Sequence, residues 1–281
     1  MPDRLADARY ELALANRIIA HEGVLDGFGH VSMRHPHHRN RYLLARSRSP
    51  ELIEPEDIYE FTLDSEPLSA AGVTLYGERV IHGCIYQARP DVNAVCHHHS
   101  PAVLPFCITG IELVPVFHMG AVLGTAAPFW DSRDDFGDTH MLVVKPEEGR
   151  SLAKALGAHW MVLMRRHGAT LVGTTLRELV FRTVYSHANA EIQLRAMALG
   201  KIGPLSRGEA ERSGPHQLQP RPMGRAWEYW TERLRKSGEM PNAPRSAAQR
   251  APAKARRSAA PARRPSSKSK PQRRRAGKSA R

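Results

Sequence analysis

The chain has 281 residues, of which 41 are basic and 28 acidic, so its formal charge is +13. Fourteen of the basic residues and none of the acidic ones lie in residues 241–281, which leaves 27 basic against 28 acidic residues in the first 240. The three cysteines, Cys84, Cys96 and Cys107, lie in apolar segments without Cys-x-x-Cys spacing, and no apolar run reaches about 18 residues, so a disulfide framework and a membrane span are both excluded.

Helix and strand patterns alternate through the first half of residues 1–240, the part of the chain before the basic tail. Residues 6–21 carry apolar side chains at helical spacing, and Gly23 follows as a stop signal. Short apolar runs at 31–34, 41–45 and 58–63 predict strands, with a helical turn at 54–57. Residues 76–89 predict a helix that ends before Pro90, because the residue before a proline disfavours the helical region.

The second half continues the alternation. A strand is predicted before the histidines at 97–99, then a helix-like segment at 100–109, a strand at 113–118, a polar rim loop at 129–138, a short strand at 139–144, a helix at 146–156, a strand at 160–164 and a long helix at 175–198. The alternation predicts an α/β domain over residues 1–210. A helical extension over 211–240 and a disordered basic tail over 241–281 are expected to follow.

The strand before residue 100 ends in three consecutive histidines. Successive side chains of a strand point to opposite faces, so His97 and His99 share one face while His98 points away. Two imidazoles on one face are two ligands for one metal ion. Without further context, a solvated polar strand end is an equally good interpretation.

A third ligand and a proton-transfer group are found elsewhere in the chain. Metal ions in catalytic sites take three protein ligands and keep a position open. His167 is the best third candidate, because it ends the apolar run VLMRRH and Gly168 follows, where backbone can approach a ligand closely. Glu78, within Tyr-Gly-Glu-Arg, is the candidate acid or base, although a glutamate at a helix start is more often a partner of the helix dipole.

Several segments in fixed order resemble the class II aldolase/adducin family: FGHVSMR at 28–34, YGERVIHG at 76–83, IYQARP at 85–90, VCHHHS at 95–100 and LMRRHG at 163–168. The resemblance covers residues 5–205. It implies that His97, His99 and His167 bind the metal and that Glu78 is the acid/base. It also implies a three-layer domain with a mixed, mainly antiparallel central sheet flanked by helices, and a homo-oligomer, commonly a tetramer.

Two departures separate this chain from the sugar-phosphate aldolases of the family. Their phosphate loop Gly-Asn-x-Ser is Gly-His-Val-Ser at 29–32 here, and Tyr76 and Gly77 replace the paired serines before the glutamate. The donors that would hold a phosphate are thus missing. The pattern is similar instead to the decarboxylase branch, typified by 3,4-dihydroxyphthalate and hydroxy-carboxymuconic semialdehyde decarboxylases, so a small acidic substrate is expected.

Six residues are candidate substrate contacts: His30, Ser32, Arg46, Ser47, His82 and His118. A guanidinium at position 46 suits bidentate contact with a substrate carboxylate, although an ordinary surface arginine is an equal alternative. His30 and His118 are structural histidines or pocket residues. His82 lines the pocket or caps a turn.

The predicted function is that of a metal-dependent carbon–carbon lyase. It decarboxylates a hydroxylated aromatic or muconic-type acid through a metal-stabilised enolate. The alternatives are aldol cleavage of a non-phosphorylated substrate, iron-dependent oxygenation, and a non-enzymatic adducin-like scaffold. One divalent ion per chain is expected, and histidine ligands leave Zn, Fe, Mn and Co open.

Localisation and the tail complete the predictions. The first residues lack the basic and apolar regions of a signal peptide, and the cysteines indicate a reducing compartment, so a cytoplasmic protein is expected. The basic tail is either a solvated extension or a non-specific contact for a polyanion.

Overall fold

A computed structural model describes residues 4–243 of the chain. The helices of this part are α1 (Arg4–His21), α2 (Val80–Ala88), α3 (Leu104–Thr109), α4 (Ser132–Phe136), α5 (Pro146–Leu156), α6 (Leu176–Leu199), α7 (Arg207–Gln217) and α8 (Pro220–Ser237). The strands are β1 (His30–Arg34), β2 (Arg41–Ala45), β3 (Ile58–Thr62), β4 (Ala94–His98), β5 (Phe129–Trp130), β6 (Met161–Met164) and β7 (Gly168–Gly173). Four 3-10 turns lie at Pro50–Leu52, Pro55–Asp57, Gly77–Arg79 and His118–Leu123.

The seven strands form one sheet in the order β3-β2-β1-β4-β7-β6-β5. Every neighbouring pair is antiparallel except β5 and β6, which are parallel. The predicted mixed, mainly antiparallel α/β fold is confirmed. Strand β4, which carries the histidines, lies at the centre between β1 and β7.

Each face of the sheet is covered by helices, which gives three layers. On one face, α1, α3, α6 and α8 bury an apolar cluster that includes Leu12, Ile18, Cys96 and Leu171. On the other face, α2 and α5 pack on a second cluster that includes Leu44, Ile81 and Val95. Alternation along β4 sends Cys96 to the first face and Val95 to the second, so His97 faces α2.

Two predicted strands are absent. Residues 113–117 have no strand partner, because α6 takes their backbone groups: Gln193 accepts from Val114 N–H at 3.0 Å and Asn189 accepts from Val116 N–H at 2.9 Å. Residues 139–144 are also irregular. There, side chains of Glu78 and Glu148 accept the backbone N–H groups that a strand would need. A local β pattern cannot reveal such distant acceptors.

Other differences concern short elements. The predicted loop at 129–138 contains β5 and α4, and β7 was not predicted, because its sequence GATLVG is rich in small residues and follows a histidine that marked the end of a strand. The predicted domain limit after residue 210 falls inside α7. The domain division stays a prediction, and the tail at 244–281 lies outside the described residues.

Helix α8 closes the face that carries α1 and α6. Its Trp227, Trp230 and Leu234 are buried in that cluster, and Arg17 of α1 donates to the carbonyl of Glu239 at 2.8 Å. Within residues 4–243, no helix is long and apolar enough to cross a membrane.

Candidate metal centre

His97 and His99 lie at the end of β4 and point to the α2 face. Their Nε2 atoms are 3.1 Å apart, and their rings are edge to face with centroids 4.8 Å apart. His97 has no exposed surface, and Thr170 of β7, its register partner, lies 3.1 Å from His97 Nδ1. The predicted placement of the two histidines on one face is therefore present.

His167 reaches the same point from the hairpin loop 165–167 between β6 and β7. Arg166 adopts a left-handed backbone conformation there, with φ of 58°, which turns the chain so that Gly168 pairs with Met164. A Cβ at Gly168 would overlap the carbonyl oxygen of His98. The glycine is required because β7 runs this close to β4, and this approach brings the His167 ring to 5.0 Å from the His97 ring.

Glu78 completes the group from the 3-10 turn that precedes α2. Its Oε2 is 3.7 Å from His97 Nε2, and its Oε1 is 3.5 Å from His167 Nε2. One ligand atom from each of Glu78, His97, His99 and His167 lies within 4.8 Å of the others. The end of β4, the loop between β6 and β7 and the turn before α2 are three segments far apart in sequence, and together they supply four donor atoms.

The donor set fits a divalent metal ion. Two nitrogens bound to one tetrahedral ion at about 2.0–2.1 Å are about 3.3 Å apart, close to the 3.1 Å between His97 and His99. Metal ligation needs neutral imidazoles, and burial lowers the pKa of His97 and His99 and lowers that of His167 to about 4. Nearby histidines lower the pKa of His97 and His167 further.

The carboxyl group of Glu78 is held in an apolar environment. Burial raises its pKa to about 7, which outweighs the hydrogen bond that it accepts from Val143 N–H at 2.9 Å. Glu148 nearby raises the pKa further. In the absence of a bound cation, this carboxyl therefore holds a proton close to neutral pH, as an acid/base group needs.

His30 forms the wall of the site beside His97. The two residues are register partners in β1 and β4, with ring centroids 5.2 Å apart. Gly29 has φ of 87°, and a Cβ there would lie 2.8 Å from the His97 carbonyl oxygen, so only glycine allows β1 to start here. Behind His30, its Nδ1 lies 2.6 Å from Nε2 of His82.

Ser32 and His82 lie in the interior. Ser32 Oγ is 2.6 Å from His82 Nδ1 and 2.8 Å from the hydroxyl of Tyr86. Neither Ser32 nor His82 has exposed surface. Burial lowers the pKa of His82 well below its usual value and that of His30 to about 3, so both rings are neutral.

Arg46 and Ser47 lie on the loop after β2. Arg46 Nε donates to Asp57 at 2.6 Å, and Arg48 donates to the second oxygen of the same carboxylate at 2.6 Å. This loop is joined to the site through Tyr76, whose hydroxyl donates to the Arg48 carbonyl and whose ring lies 4.7 Å from the His30 ring. The loop therefore borders the site, with Arg46 held by an acidic partner.

His118 lies apart from the histidine cluster. It is exposed at the start of the turn His118–Leu123, its ring contacts Phe117, and its carbonyl accepts from Ser213 of α7 at 3.0 Å. Within this chain's described residues, these contacts do not connect it to the metal centre.

Three supporting residues were not found from the sequence: Tyr76, Val143 and Thr170. Tyr76 appeared only as a departure from the family pattern, Val143 acts through a backbone N–H, and Thr170 lies in the strand that was not predicted. Thr170 could be recognised only from its pairing with His97 in the register of β4 and β7, and that pairing is known only once the sheet has formed.

The sequence of this chain is similar to those of known proteins. The model of the class II aldolase and adducin N-terminal domain matches residues 10–194. Decarboxylase tropJ of Talaromyces stipitatus is 34% identical over 245 residues, covering 79% of this chain and 91% of the relative. The 3,4-dihydroxyphthalate decarboxylase of Arthrobacter keyseri is 28% identical over 210 residues, covering 69% of this chain and 81% of the relative.

A solved structure has the same fold. The L-fuculose 1-phosphate aldolase of Glaciozyma antarctica PI12 superposes with a TM-score of 0.71 at 20% identity, covering 85% of this chain and 93% of that one. At this identity the likeness concerns the fold alone. The family match and the decarboxylase relatives confirm the resemblance seen in the sequence and support a lyase-type enzyme. The chain belongs to the class II aldolase and adducin family.

Proposed function

We propose that this protein is a metal-dependent decarboxylase of a hydroxylated aromatic or muconic-type carboxylic acid. The observation that carries the proposal is the convergence of His97, His99, His167 and Glu78 on one point. The two decarboxylase relatives support loss of CO2 over the other lyase reactions of the family.

The three histidines would hold one divalent ion, with Zn, Fe, Mn and Co all compatible with imidazole ligands. Such an ion supplies Lewis acidity to a substrate oxygen beside the bond that breaks. The three neutral imidazoles leave its charge uncompensated, and Glu78 is the one carboxyl among the four converging side chains.

Glu78 would supply the proton. When the bond between the ring or chain carbon and the carboxylate breaks, CO2 leaves and the electron pair remains on carbon. The protonated Glu78 carboxyl transfers its hydrogen to that carbon and regains one from water, so the reaction is balanced without a redox partner. In the site without a cation, burial raises the pKa of Glu78 and so favours the protonated carboxyl.

Arg46 and Ser47 are proposed to contact the second acidic group of the substrate. Asp57 engages Arg46 only at Nε among the hydrogen bonds of the described residues, so the terminal nitrogens are left for a carboxylate. The Arg46 side chain is 38% exposed. His118 stays a proposed substrate contact. A homo-oligomer, commonly a tetramer, is expected from the family resemblance.

The test combines metal analysis with a product assay on one preparation. We expect about one divalent ion per chain and CO2 release from 3,4-dihydroxyphthalate or a related hydroxylated dicarboxylate, with a chelated sample as control. An aldehyde product without CO2 would show aldol cleavage, and O2 consumption would show oxygenation. A preparation that binds no metal would favour the scaffold function. Each of these results would overturn the proposal.

A further inference from the structure

The chain of hydrogen bonds behind His30 has a direction. Each bond between two of His30, His82, Ser32 and Tyr86 needs one donor and one acceptor. With neutral rings, two arrangements of the protons are possible. In the outward arrangement each donor points from the interior towards His30, so that Tyr86 donates to Ser32, Ser32 to His82, and His82 to His30. The protons can also point inward, from His30 towards Tyr86.

The outward arrangement gives the donors of Tyr86, Ser32 and His82 one acceptor each, and its remaining donor, His30 Nε2–H, is not among the fully buried unpartnered atoms of the described residues. In the inward arrangement, His30 donates to His82 and His82 donates to Ser32, so the hydroxyls of Ser32 and Tyr86 have one acceptor too few. Within residues 4–243, the Tyr86 hydroxyl bonds only to Ser32, and Ser32 Oγ bonds only to Tyr86 and His82. One hydrogen would then be buried without an acceptor, which costs the full desolvation of that group.

The outward direction determines the tautomer of His30. Its Nδ1 accepts from His82 at 2.6 Å, so the single proton of the neutral ring is on Nε2. The ring lies 5.2 Å from that of His97 and 4.7 Å from that of Tyr76. A substrate next to His97 is therefore within reach of the His30 ring.

We propose that His30 donates a hydrogen bond from Nε2 to an oxygen of the acidic substrate, and that Ser32, His82 and Tyr86 are positioning residues that hold the proton on that nitrogen. The role as a substrate donor rests on the function proposed above. A preorganised donor in a buried site stabilises an oxygen on which negative charge develops. Ser32 and His82, which have no exposed surface, act through His30.

The tautomer can be measured without turnover. In zinc-loaded protein labelled with 15N-histidine, two-bond nitrogen–proton correlations distinguish a protonated from an unprotonated ring nitrogen, and the His30 signals are assigned by their loss in His30→Gln. We expect a proton on Nε2 and none on Nδ1. A proton on Nδ1, or an even mixture of the two tautomers, overturns the inference whether or not the protein decarboxylates anything.

Two variants of His82 test the positioning role in the metal-loaded enzyme. His82→Gln keeps an N–H for His30 and a carbonyl for Ser32, whereas His82→Leu keeps neither. We expect the leucine variant to lose about 10²-fold in kcat, with metal content and KM nearly unchanged, and the glutamine variant to recover most of the loss. Equal losses in both variants overturn the positioning role.

Ser65→Ala is the matched control for a further variant, Ser32→Ala. Both serines are buried, and each forms a hydrogen bond with a tyrosine hydroxyl. Ser65, however, bonds to Tyr42 and to the Arg79 carbonyl, which are not part of the hydrogen-bond chain behind His30. We expect the His30 tautomer to shift only in Ser32→Ala. A shift of the same size in both, or in neither, contradicts the proposed chain.

Discussion

Buried histidines on the two faces of the sheet differ in how many polar partners surround them, as the neighbouring residues His97 and His98 of β4 show. On the face covered by α6, His98 is fully buried, and within the described residues its Nε2 has no hydrogen-bond partner. On the face covered by α2, His97 is equally buried, but Thr170, Glu78 and His99 surround its nitrogens. Burial alone is therefore no sign of function, whereas convergent partners on one face are.

The largest expected effect comes from removing a ligand on the α2 face. His99→Ala leaves two imidazoles, so we expect loss of bound metal and a fall in kcat of about 10⁴-fold or more. His98→Leu, on the other face, is the control. It removes the acceptor of Ser100 N–H but should keep the metal. Metal content and kcat are measured on both, and equal metal loss would contradict the contrast.

Glu78→Gln is expected to keep the metal and lower kcat by about 10²–10⁴-fold, because the amide cannot give a proton to carbon. Glu148→Gln is the matched control. Its carboxylate accepts from the N–H groups of Val144 and Lys145 at the start of α5, so that variant should lower the melting temperature. Because Glu148 also raises the pKa of Glu78, the pH profile of kcat should move to lower pH, without the large loss at its optimum. Retained turnover in Glu78→Gln would remove this residue from the acid/base role.

Adjacent residues of β7 sharpen the comparison. Thr170 faces the site and bonds to His97, whereas Leu171 faces the apolar cluster under α6 and is fully buried. We expect Thr170→Val to weaken metal binding about 10–100-fold. Leu171→Ala should lower the free energy of unfolding by about 2–5 kcal/mol with little change in metal affinity. Metal titration and denaturant unfolding measure the two effects, and the reverse pattern would refute the assignment of faces.

A smaller, pH-dependent effect on stability is expected from Asp57, in the loop that borders the site. Burial raises the pKa of this carboxyl, but the N–H of Glu54 and the guanidiniums of Arg46 and Arg48 outweigh it, so the pKa is below the usual 3.8. The lowered pKa adds stability above the unfolded pKa, and this stability is lost as pH falls through the folded value.

We therefore expect Asp57→Asn to cost about 1–3 kcal/mol of unfolding free energy at pH 7. The difference from the parent protein should shrink below pH 3.8, where the Asp57 carboxyl also becomes neutral. Denaturant unfolding of both proteins at pH 7 and at a pH below 3.8 measures this difference. A difference that is constant with pH would mean that the ion pairs with Arg46 and Arg48 do not stabilise the loop.

The smallest effect on catalysis is expected from the tail at 244–281, which lies outside the described residues. Deleting residues 244–281 should leave kcat unchanged while weakening retention on heparin, because the excess positive charge lies there. A variant that keeps the tail with its basic residues changed to glutamine separates charge from length. A large loss of activity on deletion would show that the tail contributes to the site or the assembly.

Much of the site was predictable because its chemistry is carried by short local motifs. His97 and His99 follow from the period of two in a strand, and His167 and Glu78 follow from motifs that resemble the family. The predictions of strands at 113–118 and 139–144 were wrong, because the side chains of Asn189, Gln193 and two glutamates accept the hydrogen bonds of the backbone N–H groups there. Those acceptors are distant in sequence, and a local pattern contains no information about them.

By itself, the sequence determined the alternation of helices and strands, the shared face of His97 and His99 and the position of the excess positive charge, because each depends on residue type and near-neighbour spacing. The full set of four site residues came from motifs that resemble the family. Only the tertiary structure decided which face each residue serves. The register of β1 with β4 places His30 beside His97, and the packing of α2 on that face puts His82, Ser32 and Tyr86 in one chain of hydrogen bonds. Such contacts arise when strands pair and helices dock, so their geometry exists only in the folded chain.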